Sequence, residues 1–229
     1  RQRTSKEKLD CLRALGVDLV LVDGPLPPED PDSYNKKAHQ VVEETPDAWF
    51  PDQHNNRWNN EAHYHTTGPE IWQQMDGRID YLVAGIGTGG TICGVARYLK
   101  ERDESIKVIA VDPEGSVFFD HFHSGRHNAP APYLLEGLGD EEVIACPDFE
   151  LIDDMYRVSD GEAFRTARAL ARREAILGGG SSGAALWAVR RLARQLESPA
   201  RIVTIFPDSG SRYMSTIFND EWMKERGFL

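Results

Sequence analysis

The sequence predicts an α/β fold in which a mostly parallel sheet is flanked by helices on both faces. Three observations predict it. Short apolar runs at 81–84, 107–111 and 202–206 have strand length and little polar alternation, as strands buried on both faces require. Segments with helical periodicity at 92–101, 161–174 and 184–196 fall between or beside them. A glycine-rich turn, Gly85-Ile86-Gly87-Thr88-Gly89-Gly90-Thr91, joins the first of these strands to the first of these helices. Strands separated by helices imply parallel pairing, because a parallel connection needs a crossover.

The N-terminal region supplies a helix with Leu9, Leu12 and Leu15 in period, closed by Gly16. Residues 17–22 form an apolar run suited to a buried strand, and 24–32, with four prolines, predict a loop. Residues 33–44 predict a helix ending before Pro46. From Trp49 the texture changes: 52–60 is rich in Asn, Gln and His and too polar for a core, and a helix is expected over 68–75. The strand–turn–helix–strand unit of 81–111 follows. Residues 113–132 read as a long irregular segment carrying the histidines. The helix 161–174 leads into Gly178-Gly179-Gly180-Ser181-Ser182-Gly183, and the helix 184–196, the strand 202–206 and a C-terminal helix complete the chain. No internal repeat or low-complexity tract interrupts this order.

Composition narrows the function classes. At 229 residues the chain can hold one large domain or two small ones, and 40% apolar with 28% charged residues is a globular balance. No apolar run reaches the roughly 20 residues that span a bilayer, and residues 1–10 lack the apolar core of a signal peptide, so no membrane partner is expected. A net charge of −11 disfavours a nucleic-acid partner, whose phosphates it would repel. Arg190, Arg191 and Arg194 follow helical spacing and read as a solvated face. Cys11, Cys93 and Cys146 form no CxxC pair, which predicts reduced thiols and a cytoplasmic protein. His121, His123 and His127 lie close in sequence but share a loop without cysteine or an HExxH pattern, and read as surface residues rather than metal ligands.

The first glycine loop is an anion site by construction. Backbone N–H groups and a helix N-terminus face outward there, glycines admit a phosphate closely, and Thr88 and Thr91 add hydroxyls. Two ligands fit. Gly85, Gly87 and Gly90 satisfy GxGxxG, and the next strand ends at Asp112, near where a dinucleotide fold places its ribose-binding acid. The loop alone does not choose between a nicotinamide cofactor and pyridoxal phosphate.

The rest of the chain chooses. Gly87-Thr88-Gly89-Gly90-Thr91 resembles the phosphate loop of the fold-type II pyridoxal-phosphate enzymes. Asp52-Gln53…Asn55, Ala62-His63-Tyr64 and Thr66-Thr67-Gly68-Pro69-Glu70-Ile71 resemble the segment before it in cysteine synthases. Val111-Asp112-Pro113-Glu114-Gly115-Ser116, Glu136-Gly137-Leu138-Gly139, Gly179-Gly180-Ser181-Ser182-Gly183 and Pro207-Asp208-Ser209-Gly210-Ser211-Arg212-Tyr213 follow in the family's order. On these motifs the chain is identified as a member of the cysteine synthase/cystathionine β-synthase family.

The resemblance implies a tryptophan synthase β-like fold, with 51–229 as the large cofactor-binding domain and 1–50 as the last elements of a smaller α/β domain. It implies pyridoxal 5'-phosphate as cofactor, held at Gly87, Thr88, Gly89, Gly90 and Thr91, with Ser181 on the ring nitrogen, Gly137 facing cofactor and substrate amine, and Gln53 on the substrate carboxylate. Ser181 by itself also reads as a helix N-cap, and the two roles are compatible. A neutral hydroxyl leaves the ring a weaker electron sink than a carboxylate would, which suits β-elimination and replacement. His63 is expected to be structural.

The family's Schiff-base lysine, in a Lys-Asp-Arg-like setting, and its Ser/Thr-Gly-Asn-Thr-Gly loop are not found among these residues. Lys6, Lys8, Lys36, Lys37, Lys100, Lys107 and Lys224 have other surroundings, so no catalytic residue is assigned and the chain is expected to be a truncated form, inactive alone. Exposed apolar surface at Leu19, Val20 and Leu21 is expected to accompany this. The ending, from Arg212-Tyr213-Met214 to Gly227-Phe228, resembles the β-synthase group (serine with homocysteine) more than the cysteine synthases (O-acetylserine with sulfide). Membership implies a homodimer. A non-catalytic binding paralogue is the reading from another class, and a nicotinamide dehydrogenase, with no task for 179–183, the third.

Overall fold

The computed structural model describes residues 4–22, 26, 30–126 and 128–229. Four strands, β1 (Tyr81–Gly85), β2 (Lys107–Pro113), β3 (Asp154–Val158) and β4 (Ile202–Thr204), form one sheet in the order β3-β2-β1-β4. Every pairing is parallel: Tyr81 faces Lys107 and Ile202, and Ile109 faces Asp154. The predicted class is therefore observed.

Strand periodicity divides the core in two. Leu82, Ala84, Val108, Ala110 and Met155 point to one face and pack with Ile92, Val95 and Leu99 of helix α5 (Gly90–Lys100). Val83, Ile109, Val111, Tyr156 and Val158 point to the other, against Phe164, Ala167, Ala184 and Ala188 of helices α7 (Asp160–Glu174) and α8 (Gly180–Ala193). Helix α7 opens on a capping box, Ser159 with Glu162. Its close pairing with α8 depends on Gly183, where a Cβ would stand 2.1 Å from the Ala163 carbonyl.

The remaining helices are α1 (Lys6–Ala14), α2 (Tyr34–Glu44), α3 (Trp58–His65), α4 (Thr67–Gln74), α6 (Phe118–Ser124) and α9 (Asp220–Glu225). Four findings depart from the sequence reading. Residues 17–22 form no strand, since no described strand lies beside them to pair with; Val20 and Leu21 are exposed and Leu19 half-buried. Residues 113–132 are not wholly irregular, because α6 begins where the Asp112 carboxylate accepts the Phe119 N–H at 3.0 Å. Helix α3 forms within the polar stretch without burying any of its residues. Glu61 holds it to Arg97 of α5 through paired bonds of 2.7 and 2.8 Å, and Gly94 lets its backbone approach, a Cβ there standing 2.3 Å from the Asn60 carbonyl. The edge strand β3 went unread because Asp154 and Arg157 interrupt its apolar residues. The expected proline loop lies mostly outside the described residues, as does His127.

Candidate active site

The carboxyl ends of parallel strands are where such folds place ligands, and the glycine loop leaves β1 there. Gly89, at φ +79°, takes the left-handed conformation that starts α5. Its neighbour Gly87 faces Gly137: a Cβ on Gly87 would stand 2.7 Å from the Gly137 carbonyl oxygen. The Gly139 N–H donates to the Ile86 carbonyl at 2.8 Å, fastening the two loops together.

Between them opens a cavity of about 260 Å³, lined by Gln53, residues 87–91, Gly137, Leu138 and Ser181, among others. The structure thus gathers every sequence-predicted site residue around one space. Ser181 lies in the first turn of α8, so two helix N-termini, those of α5 and α8, direct positive dipole ends toward the cavity. Ser181 is buried, and its hydroxyl makes no hydrogen bond to another described residue, which leaves it for a ligand in the cavity. The glycine-lined cradle and this uncommitted hydroxyl fit a phosphorylated aromatic cofactor.

Two supporting residues complete the loop. The Asn59 amide donates to Thr88 Oγ1 at 2.8 Å and to the Gln53 carbonyl at 2.9 Å, tying the phosphate loop to the substrate segment. Thr91 Oγ1 meets His63 Nε2 at 3.1 Å, and His63 Nδ1 meets Thr67 Oγ1 at 2.8 Å. Burial holds the His63 pKa below its ordinary value, so the neutral ring is favoured. His63 is structural as expected. Asn59 was not singled out from sequence, since it lies in a helix that the polar stretch concealed.

Asp112 answers the dinucleotide alternative. It is fully buried, one of its carboxylate oxygens accepts the Phe119 N–H, and burial pushes its pKa up to about 7. A carboxylate sealed against the start of α6 is not presented to a ribose. The histidine segment is also committed internally: His123 Nε2 meets the Met155 carbonyl at 3.1 Å and His121 packs edge-on against Phe149. Among the described residues no group of three metal-binding side chains converges. Cys93 and Cys146 are buried free thiols, and burial pushes Cys93 up to about 12.

A second cavity of about 300 Å³ adjoins the first and shares Gln53, Gly87, Thr88, Gly137 and Leu138 with it. Its outer wall carries Lys8, His54, Glu136 and Asp140. Lys8 Nζ donates to Glu136 Oε2 at 2.9 Å and to Tyr213 Oη at 2.7 Å, and Tyr213 in turn donates to Asp208 at 2.7 Å. None of the chain's lysines lines the cradle itself.

A parallel sheet, a glycine loop opening a helix and a free hydroxyl on a second helix terminus define a phosphate-cradling α/β enzyme site. The comparisons place it. The family model described as pyridoxal-phosphate dependent enzyme matches residues 1–208. Cystathionine beta-synthase of Apis mellifera is 40% identical over 228 residues, covering 100% of this chain and 45% of that protein. The Mus musculus cystathionine beta-synthase is 40% identical over 228 residues, with 40% of its length covered. That of Saccharomyces cerevisiae is 36% identical over 232 residues, with 98% of this chain and 46% of that protein covered. The chain belongs to the pyridoxal-phosphate dependent enzymes, in the cysteine synthase/cystathionine β-synthase family, and pyridoxal phosphate is its cofactor. It spans less than half the length of these curated relatives. No described helix is long and apolar enough to cross a membrane.

Proposed function

We propose that the protein carries out a pyridoxal-phosphate-dependent β-replacement on serine, as a cystathionine β-synthase. The observation that carries this reading is the convergence of the glycine loop, Gly137, Ser181 and Gln53 on one cavity, in a chain whose relatives bear that name. When bound, the cofactor supplies the electron sink that lets the substrate Cα release its proton.

The roles of this chain's residues follow from their places. Backbone N–H groups of Gly87, Thr88, Gly89, Gly90 and Thr91 hold the phosphate, with Asn59 and His63 fixing the two threonine hydroxyls. Ser181 offers the ring nitrogen a neutral hydrogen-bond partner. Gly137 keeps its loop free of side-chain bulk where cofactor and substrate amine meet, and Gln53 receives the substrate carboxylate. We read 51–229 as the cofactor domain and 1–50 as elements of a smaller one. That α1 and α2 bury none of their residues supports the division.

Cysteine synthase, joining O-acetylserine and sulfide, is the alternative within the family, because the stretch 179–185 serves both. The placement of the lysines favours a second reading for residues 1–229 taken alone, that they bind cofactor without turning over substrate. The family resemblance supports a cytoplasmic homodimer, which sedimentation and fractionation would test.

Titrating the full-length protein and this 229-residue chain with pyridoxal phosphate, then reducing with borohydride and mapping the labelled peptide, tests both readings. Full-length protein that binds cofactor and joins serine to homocysteine faster than O-acetylserine to sulfide is the expected result. A stable reduced adduct on a lysine of this chain would overturn its inactivity alone. Failure of the full-length protein to bind cofactor would overturn the whole reading.

A further inference from the structure

Helix α7 carries four arginines in nine residues, Arg165, Arg168, Arg172 and Arg173, in a chain whose net charge is −11. Spacings of three and four residues set Arg165, Arg168 and Arg172 along one side of the helix, while Phe164 and Ala167 belong to the core. Like charges so spaced repel, so the row destabilises the helix that carries it. Only Arg172 and Arg173, in the last turn, gain from the helix's negative end.

The row lines a cavity of about 270 Å³, whose other walls are Ala169 and Leu229. No acidic side chain is among the lining residues. The four arginines are not equivalent. Arg168, its side chain only 7% exposed, is ion-paired with Asp220 of α9 and donates to the Ile217 carbonyl at 2.8 Å. Its charge is matched, and it stands as a fixed wall. Arg165 donates to the Phe228 carbonyl at 3.3 Å, a neutral partner. Arg172 and Arg173 make no hydrogen bond or ion pair to another described residue. Asp220 and Glu221 line a neighbouring cavity of about 510 Å³, which Arg168 and Arg172 share, but they do not line this one. Three guanidiniums, each with five N–H donors in a planar fork, thus surround one space without a carboxylate partner among the described residues.

We propose that this cavity binds a diphosphate group, free or carried on a nucleoside. The guanidinium fork meets phosphate oxygens two at a time. A single phosphate brings about 1.5–2 negative charges, fewer than three unmatched arginines call for, and a second phosphate group makes up the difference. The cavity shares no lining residue with the cofactor cradle. The inference therefore stands apart from the β-replacement reading.

The test is calorimetric titration of the full-length, cofactor-loaded protein with pyrophosphate, adenosine diphosphate and orthophosphate, at a fixed ionic strength of about 0.15 M. Pyrophosphate should bind once per chain, and orthophosphate roughly tenfold more weakly or worse. Adenosine diphosphate binding like pyrophosphate admits the nucleotide as ligand, and its failure to bind assigns the free anion. Arg172→Gln with Arg173→Gln removes two unmatched guanidiniums at exposed positions, where no core is disturbed. Affinity for pyrophosphate should then fall roughly 10- to 100-fold, as charge-assisted bonds are lost. Arg190→Gln with Arg194→Gln removes the same charge from exposed positions at the end of α8, outside this cavity, and should change affinity less than about twofold. Cofactor absorbance, recorded in the same titrations, should not move.

Wild type that binds no pyrophosphate would overturn the inference. An equal loss in the Arg190→Gln, Arg194→Gln protein would reduce the effect to net charge and overturn it as well. So would orthophosphate binding as tightly as pyrophosphate. Pyrophosphate that displaces the cofactor and ignores the Arg172 and Arg173 changes would belong to the cradle, with the same consequence.

Discussion

Gly90→Ala is a sharp test of how the phosphate loop is held. Gly90 opens α5, where alanine is by intrinsic propensity the better helix former, by up to about 1 kcal/mol. Local preference therefore predicts a more stable protein. The surroundings predict the reverse for the site: a Cβ at this position would lie 2.0 Å from Asn59 Oδ1 and 2.8 Å from Nδ2. Asn59 must swing away and give up its bonds to Thr88 Oγ1 and the Gln53 carbonyl. Two hydrogen bonds at about 0.5–1.5 kcal/mol each amount to about 1–3 kcal/mol of lost loop order. Expressed in binding, that weakens the Kd for pyridoxal phosphate roughly 5- to 150-fold. The assay is a fluorescence titration of Gly90→Ala, Asn59→Ala and the double variant. Because both single changes break the same bonds, the double variant should bind no worse than the weaker single one. Unchanged affinity in Gly90→Ala, or losses that simply add, would refute the argument.

Other outcomes follow from neighbouring features. Ser181→Ala should still bind cofactor but alter its absorbance, with turnover reduced roughly 10- to 150-fold if a hydrogen bond to a charged group is lost in the transition state; steady-state kinetics checks it. Gly183→Ala should destabilise the fold by about 1–3 kcal/mol or more, because the clashing atoms belong to the α7 backbone, and chemical denaturation will measure it. Asp112, raised by burial to about 7, binds a proton in the folded state that the unfolded chain releases near the ordinary carboxylate value. Stability contributed by that site is thus largest at acid pH and declines as pH rises toward about 7, by up to ~1.4 kcal/mol per pH unit. Asp112→Asn should flatten that slope in denaturation curves recorded between about pH 5 and 8.

Much of the fold was legible because buried parallel strands are simple to write: 81–84 and 107–111 are unbroken apolar runs, and β1 and β2 occupy them. The glycine loop announced an anion but not which one. Asp112 satisfied the dinucleotide spacing, and only its burial against α6 removes it from a ribose. Helix α3 left no apolar period because polar bonds and a glycine contact hold it, and with it went Asn59. The strand expected at 17–22 shows the opposite limit: apolar residues propose a strand, but a partner strand must exist to accept it. That His54 Nδ1 comes within 3.9 Å of Asp140 Oδ2 is invisible in sequence, since 86 positions separate residues that only the folded loops bring together.

Helix α1 has a mechanical consequence. It buries none of its own residues, and the contacts that fasten it are polar: Glu7 on Ser215, Lys8 on Glu136 and Tyr213, and the Ser5 N–H on Glu136. It is fixed by a charged clasp rather than by an apolar seam. Separating such a clasp returns ions to water, at far less cost than exposing oily surface. Its one ion pair, Lys8 with Glu136, is largely withdrawn from solvent, at 25% and 12% exposed, so salt screens it less than a surface pair. One wall of the second cavity is therefore held by polar contacts that part without uncovering apolar surface.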